Sequence, residues 1–195
     1  DKQNWQTMSQ SLTLAHISDL HLTDIAGVHP RYWNAKRGLG YLNWSRRRRF
    51  VHRRDVADSL VADAWAQGAD HFAVTGDLAN LGLPDEYDAA LAWLAGLGRS
   101  DQVSVVPGNH DIYTGRMHGA SCLDSWDAYM TSCAQGRVFT TSVSERVPYV
   151  RHVGPVALIG LNSALPRAPF IAAGRLGDAQ LERLACVLDP LGTAG

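Results

Sequence analysis

The sequence is poor in cysteine. It has three, Cys122, Cys133 and Cys186, in 195 residues, an odd number with no C-x-x-C spacing. That excludes a disulfide framework and a zinc site built on paired thiolates. No apolar run approaches the roughly 20 residues that a membrane span needs, and residues 1–11 lack the apolar stretch of a secretory signal. A cytoplasmic location with reduced cysteines is the expectation. Neither sign of charge dominates: 18 Lys and Arg against 19 Asp and Glu leave a net charge of -1. This speaks against a general nucleic-acid or membrane-surface binder, so no specific nucleic-acid partner is expected. There is no internal repeat and no low-complexity segment. Gly38-Leu39-Gly40 lacks the third glycine of a dinucleotide fingerprint. Met8 reads as the native start, which makes residues 1–7 an expression remnant and 8–195 one domain.

What is present is ordinary globular composition, 46% hydrophobic and 19% charged, in a chain long enough for one sizeable core. The pattern reads strand, long loop, helix, strand, helix, strand, loop, helix, two strands, helix. The first strand covers Leu12 to Ile17 and a loop runs from Ser18 to Ser45. A helix is expected over Arg47 to Gln67, with Val56, Leu60 and Ala64 on its apolar face, ended by Gly68. A second strand ends at Asp77. Pro84, Asp85 and Glu86 open a helix whose stripe is Tyr87, Leu91 and Leu94. A third strand spans Gln102 to Val106, and Ser121 to Ala134 reads as helix. Pro148 to His152 and Val156 to Leu161 form a hairpin pair around Gly154-Pro155. A last helix covers Ala179 to Leu188. Strands alternating with helices give an α/β fold with a mostly parallel sheet.

Three short polar clusters carry the chemistry. Asp19-Leu20-His21, Gly76-Asp77 and Gly108-Asn109-His110-Asp111 each follow an apolar run that reads as a buried strand. Carboxylate, imidazole and amide groups are thereby delivered to the ends of neighbouring strands, the rim where ligands bind in open α/β sheets. Mixed oxygen and nitrogen donors on one rim suit a pair of divalent cations.

The order and content of these clusters resemble the calcineurin-like metallophosphoesterases, which are marked by D-x-H, then GD, then GNH followed by Asp or Glu. The resemblance runs from Leu12 to the end of the chain. It implies layered sheets flanked by helices and metal-dependent hydrolysis of phosphoesters. The substrate would be a small phosphorylated molecule, such as a cyclic nucleotide or glycerophosphodiester, with a sugar-nucleotide or lipid pyrophosphate as alternatives. It also implies two divalent ions, manganese, iron or zinc. Asp19 and His21, placed on one side by extended backbone, would hold the first ion. Asp77 would bridge both, and Asn109 would bind the second through its amide oxygen. His110 would act on substrate, by hydrogen-bonding a phosphoryl oxygen or protonating the leaving group. Asp111 would accept the other N–H of His110 and orient it.

The family's later histidine blocks, a paired His-His and a G-H-x-H, do not occur in this sequence. The expectation that follows is an N-terminal part of the domain, incomplete at the C-terminus, with the second ion weakly held and the chain alone a poor catalyst. A degenerate phosphate- or metal-binding fragment is the alternative. A truncated sandwich would expose sheet surface, so self-association is expected. His118 and His152 are the substitute ligands to weigh, while His16, His29, His52 and His71 have no ligand-like neighbours in sequence. The run from Arg46 to Arg54 reads as a solvated helix start paired partly with Asp55 and Asp58. Its functional alternative is an anion-binding rim for a nucleotide or phospholipid head group.

Overall fold

The structure, a computed structural model, describes residues 11–113, 121–132, 146–168, 171 and 173–192. His118, Cys133 and Ala134 lie outside them. Three parallel strands, β1 (Leu14–Ile17), β2 (His71–Val74) and β3 (Val103–Val105), form one sheet in the order β1-β2-β3. Leu14 pairs with His71, and Phe72 with Val103. β2 and β3 carry the buried core of this sheet: Phe72 and Val74 of the one and Val103 and Val105 of the other are all at or below 1% exposure. β1 alternates exposed and half-buried positions, as an edge strand does. The second sheet is the expected hairpin, β4 (Tyr149–Val153) antiparallel to β5 (Val156–Gly160). Tyr149 and Arg151 dock it onto β3: the tyrosine hydroxyl donates to Val105 O at 2.7 Å, and the guanidinium to Val103 O at 2.6 Å. Mixed parallel and antiparallel sheets flanked by helices are the α/β architecture expected.

Helices differ more from the expected pattern. The long loop contains α1 (Ala35–Asn43). Gly38 and Gly40 lower its propensity, but Asn34 caps it by accepting from Arg37 N at 2.9 Å. Arg37 then anchors it, fully buried, donating to Leu81 O and Gly82 O at 3.1 and 2.9 Å. The helix expected over Arg47 to Gln67 is broken. A π-turn (Trp44–Arg48) and a short α2 (Arg49–Val51) end at His52 and Arg53, whose ψ angles of 94° and 117° are extended. α3 (Arg54–Ala66) then starts afresh, rotated so that Val56 and Leu60 are exposed and Ala57 is buried instead. Val61, Ala64 and Trp65 complete the face packed on the core.

α4 (Pro84–Leu97) begins at Pro84 and buries Tyr87, Ala90, Trp93, Leu94 and Leu97. Its Glu86 carboxylate is buried and accepts from Asn80 N, Leu81 N and Leu83 N at 2.6, 2.9 and 3.0 Å. The loop after β2 is thus held by Glu86 from one side and Arg37 from the other. Among the described residues of the helix expected over Ser121 to Ala134, a short α5 (Cys122–Ser125) and a 3-10 turn (Asp127–Tyr129) form in place of one continuous helix. Trp126 sits between them, fully buried, with its Nε1 donating to Tyr87 O at 3.0 Å. α6 (Asp178–Gly192) runs past Pro190, further than expected. Among the described residues no helix is long and apolar enough to cross a membrane.

Candidate metal centre

The three polar clusters meet at the carboxyl end of the parallel sheet. Pairing between β1 and β2 continues beyond the strands: Asp19 N donates to Gly76 O at 3.1 Å and His21 N to Asp77 O at 2.9 Å. The backbone is not extended there. Asp19, His21 and Asp77 take φ angles of 59°, 45° and 55°, the left-handed region that few non-glycine residues occupy. The extended geometry expected for Asp19 and His21 is therefore corrected. Such conformations cost about 1–3 kcal/mol each and cluster where function over-determines the chain. The loops after β2 and β3 touch backbone to backbone. A Cβ on Gly76, itself at φ 88°, would lie 2.1 Å from Gly108 N, and one on Gly108 would lie 2.2 Å from an Asp77 carboxylate oxygen. Only glycine fits at either position.

His21, Asp77 and His110 each offer a ligand atom, all within 4.8 Å of one another. The donor set fits a divalent cation. His21 Nδ1 lies 2.7 Å from Ala79 O and His110 Nδ1 lies 2.6 Å from Asn80 O. A carbonyl can only accept, so both Nδ1 atoms carry the proton and both rings keep a lone pair on Nε2. Fixing a ligand's tautomer through the far nitrogen is the usual second layer of a histidine metal site. Arg48 Nη1 is 3.2 Å from the same His110 Nδ1. With that nitrogen donating to Asn80, Arg48 acts there through its charge.

Asp19 opens onto an adjoining cavity of about 300 Å³, which Asp77 and Asn109 also line. Asn109 borders a second cavity of about 540 Å³ on the His110 side as well. Asp77 is common to the cluster and the smaller cavity, and its carboxylate also accepts from His110 N at 2.9 Å.

Asp111 does something else. Its fully buried carboxylate accepts from Asp77 N and Gly108 N through Oδ2 at 2.7 and 2.8 Å, and from Ala79 N through Oδ1 at 2.9 Å. The His110 imidazole is paired with Asn80 O instead. The expectation that Asp111 orients His110 is thus corrected: it ties the β2 loop to the β3 loop. Burial pushes its carboxyl up to about 7, opposed by those three N–H bonds, which favour the anion.

His52, which the sequence gave no reason to choose, lies with its ring 4.6 Å from that of His21. The helix break delivers it there, and an amphipathic reading that ran straight through the break hid it. His152 is exposed on β4 and is not part of the cluster. The bland reading of the arginine run holds for its end, where Arg53 pairs with Asp55 and Arg54 with Asp58 at 3.6 Å. It does not hold for Arg46, Arg47 and Arg48, which line the larger cavity.

Burial first, then the charges of His110 and Arg48, push the His21 pKa down to about 3 from 6.5. The folded chain therefore keeps this ring neutral where the unfolded chain protonates it. His21 contributes stability in full above pH 6.5 and loses it as the pH falls toward 3. In chelator, the stability difference between wild type and His21→Gln should shrink across that window; urea unfolding at stepped pH reads it, and a difference independent of pH would refute the buried neutral ring.

No curated protein that was compared matches the chain. A family profile described as calcineurin-like phosphoesterase matches residues 12–165, which take in all three clusters and both sheets. With the clusters meeting on one rim and a donor set fit for a divalent cation, the chain belongs to the calcineurin-like phosphoesterase family, a family of hydrolases.

Proposed function

We propose that the chain hydrolyses phosphodiesters with the help of two divalent cations, manganese, iron or zinc. The observation that carries this is the His21, Asp77 and His110 group, its ligand atoms within 4.8 Å of one another, beside a cavity that Asp19 and Asn109 share with Asp77. Bound cations would neutralise phosphate oxygens and lower the pKa of a water. Asp19 and His21 would serve the first, Asn109 the second, and Asp77, common to the cluster and the smaller cavity, both. The second would be the weaker, with fewer protein donors. His110 is lowered in pKa by burial and by Arg48, so its ring enters the reaction neutral and offers its Nε2 lone pair to a cation; hydrogen-bonding a phosphoryl oxygen or protonating the leaving group would first need a proton on that nitrogen. Asp111 holds the frame in which these groups stand.

The substrate is a small phosphorylated molecule, and the metal ligands do not choose among phosphodiesters because they hold the phosphate and not its substituents. A cytoplasmic setting is consistent with free thiols at Cys122 and Cys186. The test is hydrolysis of bis(p-nitrophenyl) phosphate with added manganese, by the chain and by a variant at Asp77. Turnover that needs manganese and Asp77 supports the reading. Its absence from both favours the alternative, a phosphate- or metal-binding chain whose ligand set is insufficient for catalysis.

Self-association belongs to the same proposal. β1 is at an edge of the parallel sheet among the described residues, and its Leu14 is exposed. Light scattering should find dimers or larger species at micromolar concentration; a monodisperse monomer would refute this.

A further inference from the structure

The larger cavity, about 540 Å³, has a lining of which phosphate hydrolysis, through Asn109 and His110, uses only one side. Five of the described lining residues are cationic, Lys36, Arg46, Arg47, Arg48 and Arg167, and none is acidic. Three of the five are already engaged. Lys36 reaches Tyr113 O and lies over the Tyr113 ring at 4.0 Å. Arg48 stands beside His110, and Arg167 Nε donates to Ala173 O at 3.2 Å. Arg46 and Arg47, carried in by the π-turn, make no ion pair or side-chain hydrogen bond among the described residues. Two planar guanidinium forks are thus offered to an anion, in a place where like charges already repel one another.

The rest of the wall is aliphatic. Leu39, Leu42, Leu165 and Ile171, each 36–54% exposed, line the same space. Large apolar side chains gathered at a cavity mouth mark a ligand surface more than scattered ones do. The two aromatic rings in the described lining, Tyr113 and His110, are stacked on each other at 5.4 Å; Lys36 covers the tyrosine and His21 stands edge-on to His110 at 4.8 Å. A nucleobase therefore has no open ring to stack on, whereas a hydrocarbon chain has four branched aliphatic side chains.

We propose, resting on the phosphoesterase reading, that this cavity holds the non-scissile part of an amphiphilic phosphoester. An additional anionic group would sit on Arg46 and Arg47, and an aliphatic chain on Leu39, Leu42, Leu165 and Ile171. The substrate is then lipid-like and not a nucleotide.

The experiment is calorimetric titration with dodecylphosphonate, methylphosphonate and ADP in manganese buffer, below the micelle concentration. Dodecylphosphonate should bind at least about 100-fold tighter than methylphosphonate, since burying four methylenes is enough for that. It should also bind tighter than ADP. The double variant Arg46→Ala/Arg47→Ala should weaken it at least about tenfold, as expected for lost charge-assisted bonds, with an unchanged unfolding midpoint because both residues are exposed. Leu42→Ser/Ile171→Ser should shrink the dodecyl-to-methyl ratio. Asp77→Asn should still bind the probe. Equal affinity for the two phosphonates, tighter binding of ADP, indifference to the arginine pair, or loss of the probe in Asp77→Asn would each overturn the proposal. Preference for the long chain without hydrolysis of any phosphodiester would uphold the pocket and refute the phosphoesterase reading instead.

Discussion

Replacing Asp77 by Asn is expected to lower manganese-dependent turnover of bis(p-nitrophenyl) phosphate at least about 10³-fold, the effect of losing several kcal/mol of transition-state stabilisation. Asn is the cleaner substitution because φ at this position is 55°, a region that Asn tolerates and Ala does not. It also keeps one oxygen to accept from His110 N, now 2.9 Å from the carboxylate. What it removes is the negative charge and the second anionic oxygen. Asp77→Ala would combine that loss with backbone strain, so a dead Ala variant alone would prove less. Turnover of Asp77→Asn within about threefold of wild type, well short of one tenfold step in rate, would remove Asp77 from the centre of the mechanism.

The second large effect is on stability. Asp111→Ala leaves three backbone donors, Asp77 N, Ala79 N and Gly108 N, without their acceptor at a fully buried site. Each unsatisfied buried donor costs about 1–3 kcal/mol, and water entering the space recovers part of this. A net loss of about 3–5 kcal/mol is expected, within the range for breaking a buried charged network. Urea unfolding in chelator reads it without any contribution from metal. A loss below about 1 kcal/mol, the size of an ordinary hydrogen bond, together with abolished turnover, would return Asp111 to the catalytic role that its neighbourhood to His110 first implied.

The clusters were legible because their chemistry sits at strand ends, and strand ends follow apolar runs such as Phe72 to Thr75 and Val103 to Val106. Pro84 and Gly154-Pro155 were equally plain, since proline and glycine act through local backbone geometry. Four features were hidden, each for a physical reason. α1 carries two glycines, and a buried arginine reaching the loop after β2 outweighs them. The break at His52 and Arg53 has neither proline nor glycine to mark it. Sequence adjacency points Asp111 at His110, whereas its partners are three main-chain N–H groups, which have no letter in a sequence. The cavity-facing turn of the arginine run follows from the π-turn and was invisible for the same kind of reason.

Parallel pairing has a further consequence, for the order in which the molecule comes into being. Leu14 meets His71, and Phe72 meets Val103, so each ligand-bearing loop closes against a partner far along the chain. Such contacts form late, after the entropy of the intervening loops has been lost. A nascent chain that has emerged only as far as Asp77 has neither Asn109 nor His110 to offer. The donor set for a cation therefore arrives together with the completed sheet and belongs to the topology, not to any one segment.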